Sequence, residues 1–461
     1  SRQDNTCMGA YEIGCGNDTT IATVADTINV GTKIYGQTFT KVGVHDSIFE
    51  TLQTAIGCDS VVMHKVVVRP TAMNYYVKTK RVNKGDGSNW DNAMDGDDFE
   101  TYLPLAPDGA TFHIAAGTYM PKKESINEYG NRVAPCFMVR SFVRLIGGYS
   151  DKAKDGDKPN PALYETVFSG DVKGDTKAEI VKSKSGRDSL ALSNISDNLT
   201  YLLYCRRSNL DTNSESDTTI YVNGIIIRYA KTFGLELAYT YDAKAIIENS
   251  TFEYNLTGAH LEQASAEFNN CKFNNNSSGF GRYYGTRPYD NDIYFRNCTF
   301  DFNNAACYLY GSNAVYFINS TIVNNWTICS DLRSNNLSLV NSTFLNNGPG
   351  VSCNYFSDEI HLELRGNIID TMAFVRNTPL TYKVHFESSH NYGNISYIKD
   401  SEIDELENLP MKGRKELSSF VDGTYDAKSD VFIPEVKNNG GFTPTVALKS
   451  DKLSDGTSIR F

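Results

Sequence analysis

Among the residues whose type and spacing could do chemistry, two carboxylates stand out. Glu253 and Asp301 each lie four residues after the Asn of a recurring segment, Asn249 and Asn297. Stacked strands repeat at about 4.8 Å, so two carboxylates two coils apart sit about 9–10 Å apart. That is the wide end of the range in which a pair can hold a water for inverting glycoside hydrolysis. Lys272 falls on the segment between them and is the only basic outward repeat position, expected next to Glu253. A lyase would need such a base beside a Ca²⁺-binding acidic cluster, and no Asp-rich ladder accompanies Lys272. The plain alternative is that all three are outward charges in contact with solvent.

A second group suits binding. The segment GFGRYYGTRPYDND (279–292) lengthens one repeat and carries Arg282, Tyr283, Tyr284, Arg287 and Tyr289. Tyr faces stack on the apolar faces of sugars, and guanidinium forks suit carboxylates. The opposing expectation is that these tyrosines fold back and cover the coil. A third group is GDGSNWDNAMDGDD (85–98), dense in Asp and Gly. Its spacing does not match an EF-hand loop, so a structural turn competes with a Ca²⁺ site; no other cofactor is expected. The ten cysteines include no C-x-x-C pair and the seven histidines are scattered, which argues against structural zinc. Cys15 and Cys58 could close the N-terminal segment with a disulfide or remain buried thiols.

Charge narrows the partners. Lys and Arg number 44 and Asp and Glu 55, so the net charge is 44 − 55 = −11. Nucleic acid is excluded as a partner, since phosphate binding needs concentrated positive charge. No apolar run is long enough for a transmembrane helix.

The elements that must position these residues come from a repeat. YVNGII (221–226), IENSTF (247–252), FNNCKF (268–273), FRNCTF (295–300), FINSTI (317–322) and LVNSTF (339–344) share apolar, any, Asn, small, any, apolar, with a weaker LRGNII at 364–369. The Asn spacings are 26, 21, 27, 22 and 22 residues. Short β-branched and aromatic strands at that period predict a parallel β-helix, right-handed by the crossover rule. Asn at the bend tolerates the left-handed backbone and can bond between coils. The Ser or Cys that follows fits a crowded interior corner. Cys271 and Cys298 are expected as stacked buried thiols, as are Cys307 and Cys329. The stretch from Tyr75 to Ile433 has room for about 12–14 coils, a rod of about 60 Å.

Upstream, residues 13–70 show short alternating runs separated by turns, at Thr27–Val30, Lys33–Tyr35, Ser47–Leu52 and Val61–Val68. That pattern predicts a small antiparallel, Ig-like β-sandwich. Asp97–Leu105 is the one short helix expected, and 173–197 reads as a surface excursion.

Four motifs in the 75–171 stretch resemble the N-terminal cap of a family of secreted or surface β-helix proteins common in Bacteroidetes, with a pectin-lyase-like fold. They are GDGSNW (85–90), AAGTY (115–119), IGGY (146–149) and FSGD (168–171), and NNGGFTPTVAL (438–448) resembles the family's closing motif. GAYE, which usually follows that motif, stands instead at 9–12. This places residues 1–12 as the tail of a preceding module, 13–70 as an accessory sandwich containing GCDSVV (57–62), and 75–461 as the β-helix. The chain would then be one unit of a tandem array. Asp26-Thr27-Ile28, Asp46-Ser47-Ile48 and Asp59-Ser60-Val61 resemble that phylum's O-glycosylation signal. The resemblance implies an extracellular or outer-surface, non-catalytic structural or adhesive module whose partners are glycans or other surface proteins. The alternatives are a polysaccharide-active enzyme using Glu253, Asp301 and Lys272, and a head-to-tail filament subunit.

Overall fold

A computed structural model of the chain describes residues 22–53, 59–126, 132–182, 188–206, 219–238, 244–262, 264–283, 292–310, 314–333, 336–348, 350–353, 360–376, 384–398, 402–420, 422–428, 431–434, 436–438 and 444–446. Cys15, Cys58, Tyr284, Arg287 and Tyr289 lie outside these residues, as do the GAYE segment and most of the closing motif.

Twenty-nine strands form one continuous, almost wholly parallel ladder wound into a right-handed β-helix. Each regular coil has three faces. The first carries a strand such as Lys244–Glu248, the second a short strand such as Thr251–Glu253, the third a strand such as Thr257–Glu262. On the first face twelve strands stack in sequence, from Asn74–Val77 to Glu402–Leu409. At the usual strand spacing that makes a rod of about 53 Å.

The corner between the first and second faces is where the sequence repeat falls. Asn249, Asn270, Asn297, Asn319 and Asn341 all take φ between 48° and 55°, and Gly224 and Gly366 take that conformation in the flanking coils. Only Gly and Asn enter this region at low cost. The next residue turns inward: Ser250, Cys271, Cys298, Ser320 and Ser342 are all buried. Cys271 and Cys298 occupy this position as free thiols, and Cys307 pairs in register with Cys329, also free.

The second corner holds the stronger polar ladder, which the repeat motif does not include. Asn255, Asn276, Asn303, Asn325 and Asn347 are fully buried. Each of the first four donates its backbone N–H and its side-chain Nδ2 to the Oδ1 of the next, at 2.9–3.1 Å. The other Nδ2 proton reaches a carbonyl one coil back, such as Phe252 or Phe273. A buried amide is tolerated only when its donors and acceptors are satisfied, and this arrangement satisfies them coil after coil.

Inside the rod, side chains stack in rows. Phe252, Phe273 and Phe300 stack at 4.9 and 4.5 Å, and Phe268, Phe295 and Phe317 at 5.1 and 4.8 Å. Each offset-stacked pair adds about 1 kcal/mol beyond its buried area. The helix Gly96–Tyr102, capped by Asp95, closes the N-terminal end. Its Phe99 meets one Phe from each face: Phe112, Phe168 and Phe137. Compared with the helix expected from the sequence, it starts one residue early and its last three residues, Leu103–Leu105, form a 3-10 turn, and a second short helix, Leu417–Phe420, was not expected. The 173–197 excursion is the hairpin Lys177–Lys182 with Asp188–Ser193.

In the N-terminal region the strand Asp59–Arg69 pairs antiparallel with Gly43–Gln53 and parallel with Ala22–Asn29. The three-stranded sheet is therefore mixed where an antiparallel one was expected. A small hairpin, Lys33–Ile34 with Gln37–Thr38, accompanies it.

Candidate functional site

The register brings Glu253 and Asp301 into one outward row of the second face, with Arg228 before them and Asn274 between them. The expected two-coil separation holds. Both carboxylates are half-buried rather than fully solvated, and burial pushes both carboxyls up; Arg228 opposes the shift at Glu253 and Asn324 opposes it at Asp301. Arg228 Nη1 lies 3.5 Å from Glu253 Oε1, and Asn324 Nδ2 donates to Asp301 Oδ1 at 2.9 Å. Lys272 is half-buried, its amine pushed down by burial against the pull of Glu253. Beyond Asp301 the row turns apolar, to Val323 and Leu345. There it is covered by Met411, Leu417 and Phe432. Both carboxylates are thus held by protein partners, on a row partly roofed by the C-terminal segment.

Arg282 does not belong to an exposed loop. The third-face strand continues to Tyr283, and its register places Arg282 in the row of Leu261 and Leu309, both fully buried. Arg282 is 3% exposed and donates to the Ala264 carbonyl. It packs in the coil interior and is unable to present its fork to a ligand, which corrects the binding role expected from sequence. Tyr283 ends the same strand.

Four of the five carboxylates of the 85–98 segment are engaged by the protein. Asp86 accepts from the Ser88 N–H, Asp95 caps the helix, Asp98 pairs with Arg81, and Asp97 pairs with Lys122. The segment is a capped turn. Among the described residues, one group of side chains has ligand oxygens within 4.8 Å of one another: Asp171, Asp175 and Asp197. Asp171 is already spent on the N–H groups of Gly174, Asp175 and Thr176.

A groove of about 620 Å³ runs along the third face over the strands Thr257–Glu262, Ser278–Tyr283, Ala305–Tyr310 and Thr327–Arg333. Three features build it. The first is Gly281, which sits in the outward row between His260 and Tyr308. A Cβ there would lie 3.2 Å from Thr257 Cγ2 and 3.4 Å from His260 Cδ2, so the missing side chain opens the floor. The second is the buried Asn ladder. The residue after each ladder Asn is held at the groove's edge, giving the row Leu256, Ser277, Asn304, Trp326 and Gly348. Trp326 stands 41% exposed there. The third is a register shift between Cys329 and Leu332, an extra residue of the kind that re-aims a strand's side chains and brings Ser330 to the wall.

The chemistry of the walls is aromatic and neutral. Phe233 stacks flat on His260, with centroids 4.1 Å apart and planes 6° apart. Tyr308 and Trp326 stand at the other end, with Thr257, Ser277, Ser278 and Thr327 between. Asn304 also lines the groove, and its buried Oδ1 has no hydrogen-bond partner among the described residues. Behind His260, Glu236 is 7% exposed. Burial first and Glu262 second push its carboxyl up to about 8, against Arg206. Burial, with Arg206's counterpart Arg282, pushes His260 down to about 4. Glu236 Oε1 and His260 Nδ1 are 3.9 Å apart, so near neutral pH this is a pair of largely uncharged groups.

Sequence reading missed the groove because Trp326 is the sole aromatic in its row and no repeat signals it. Its place directly after the Asn-Asn pair of 324–325 is the signal that could have found it.

Residues 233–391 match the family model described as the right-handed beta helix region. This stretch contains the groove, the Asn ladder and both carboxylates. No curated protein and no solved structure matches the chain.

Proposed function

We propose that this right-handed parallel β-helix protein is a glycan-binding module displayed outside the cell, with the third-face groove as its binding site. The observation that carries this reading is the pairing of an exposed Trp326 with Tyr308 at one end and stacked Phe233 and His260 at the other, across a floor of hydroxyls. Aromatic rings offer flat apolar area with little conformational freedom to lose, which suits the faces of sugar rings. Hydroxyls and the Asn304 amide supply the polar contacts that fix orientation.

The test is retention of the full chain on a panel of immobilised polysaccharides, with Trp326→Ala beside the wild type. Truncating an aromatic anchor costs about 2 kcal/mol, about 30-fold in affinity. Trp326 is exposed, so the variant is expected to fold. Wild-type protein that is retained on no polysaccharide refutes the reading.

Polysaccharide cleavage is the second reading. It draws on Glu253 and Asp301, two carboxyls raised by burial and aligned in one outward row two coils apart. An activity screen on acidic and neutral glycans with wild type, Glu253→Gln and Asp301→Asn tests it, and absence of wild-type turnover ends it.

A further inference from the structure

We infer that the groove takes an uncharged, linear glycan lying along the rod axis and rejects uronic-acid and sulfated chains of the same length. This inference rests on the reading of the groove as a glycan site and adds the class of glycan and its direction.

Direction follows from register. Phe233, Thr257, Ser278, Ala305 and Thr327 are partners on five successive strands of the third face. Trp326 immediately precedes the last of them. Four strand intervals separate the two aromatic ends, about 19 Å. The aromatic ends are therefore displaced along the axis rather than around the coil, and the floor between them is the row opened at Gly281. A chain laid along this row meets a new coil, with a new hydroxyl or amide, at nearly every sugar unit. A chain laid across the rod would leave one aromatic end unused.

Charge class follows from the lining. The polar groups facing the groove are the hydroxyls of Thr257, Ser277, Ser278, Thr327 and Ser330 and the amide of Asn304. None carries a formal charge. The one imidazole in the lining, His260, is held neutral because burial disfavours its cation. The only guanidinium on these strands whose side chain is described, Arg282, lies in the buried row. A carboxylate or sulfate entering this groove would lose water and gain no cation from the described lining, a cost that unpaired buried charge carries. The chain's net charge of −11 adds long-range repulsion of polyanions. An uncharged sugar chain gives up only neutral hydrogen bonds, and the hydroxyls along the groove supply others in return.

The chain carries its own probe. It has two tryptophans, and Trp90 is 2% exposed in the N-terminal cap. A shift in tryptophan emission on ligand addition therefore reports Trp326. The full chain is titrated at fixed ionic strength with neutral pentasaccharides (gluco-, manno- and xylo-series) and with oligogalacturonate, oligomannuronate and a heparin fragment of matched length. Calorimetry on Trp326→Ala serves as the control for site. The expected result is a saturable emission shift with at least one neutral series, binding lost in the variant, and acidic chains about tenfold weaker or worse. Ser330→Lys, which places a cation in the wall, should narrow that gap. Acidic chains binding as tightly as neutral ones would overturn the charge assignment while leaving the groove a glycan site. A neutral pentasaccharide binding no tighter than its disaccharide would overturn the axial direction. No binding by either class overturns the glycan reading itself.

Discussion

Replacing Glu236 by Gln should flatten the fall in stability that the wild type shows on the alkaline side of neutrality. The carboxyl titrates near 4.5 when exposed and near 8 in the fold. Between those values the folded state holds a proton that the unfolded state has released, so stability falls as pH rises through the window. In full, the shift is worth about 5 kcal/mol, and at pH 7 about 3 kcal/mol is already lost. His260 acts with the opposite sign. Its folded pKa of about 4 lies below the ordinary 6.5, so below pH 6.5 the unfolded state binds a proton that the folded state refuses. Stability from that source is lost as pH falls. The two slopes oppose each other between pH 4.5 and 6.5, and the Glu236 slope stands alone from 6.5 to 8, where it amounts to about 2 kcal/mol. Arg206 and Glu262 flank Glu236 and Arg282 flanks His260; Tyr201, Tyr204 and Cys136 also lie near the pair, and burial pushes all three up, away from that interval. Solenoids open locally, so the assay is amide hydrogen exchange of residues 233–238 and 257–262 across pH 5 to 9, backed by thermal midpoints. Glu236→Gln should exceed wild type at pH 7 and above and retain the acid-side loss. Parallel profiles for the two proteins would refute the reasoning.

Asn325→Ala should destabilise the rod by about 3 kcal/mol or more, because it strands the two Asn303 amide donors and the Phe300 carbonyl and leaves Asn347 Oδ1 with the backbone N–H of residue 325 alone; exchange in the coils on either side measures it. Cys298→Ser should change the thermal midpoint little, equivalent to less than about 1 kcal/mol, since Ser320 and Ser342 already fill this corner on the next two coils and bond to the same backbone groups. Gly281→Val should lower the midpoint modestly, equivalent to about 1–3 kcal/mol, and abolish retention on any polysaccharide that the wild type binds. The branched side chain fills the groove floor beside His260 and Thr257, where a single Cβ is already in tight contact.

The rod was legible because its rule is written five times over; in the first copy the register puts Gly224 rather than Asn223 at the corner, a correction of one residue to the sequence alignment. The apolar pairs around Asn249 or Asn297 give the strand, the left-handed Asn gives the corner, and the small residue after it gives the inward turn. The second corner was harder. Its αL position is filled by Tyr254, Asn275, Phe302, Asn324 and Asn346, so no shared residue type marks it. The ladder Asn recurs six residues after each corner Asn from 255 to 347, but its burial and its coil-to-coil bonds become visible only when the coils are stacked. Arg282 was misplaced because its neighbours Arg-Tyr-Tyr-Gly suggest a loop, whereas strand register decides which residues face inward. Glu253 and Asp301 fell where their spacing put them; the roof over the rest of their row comes from residues more than 80 positions away, a contact no local pattern encodes.

The two corners differ in what they tolerate. From corner Asn to ladder Asn the count is six residues in every regular coil: 249 to 255, 270 to 276, 297 to 303, 319 to 325 and 341 to 347. From ladder Asn to the next corner it is 15, 21, 16 and 16. All variation in coil length therefore falls on one edge of the rod, where the third face returns to the first. The polar ladder works as a clamp on chain length along the other two corners, because an added residue there would break two hydrogen-bonded columns at once. Insertions along the free edge leave those columns intact. The protein is in this sense a fixed spine with one revisable margin, and that margin borders the third face, where the groove lies.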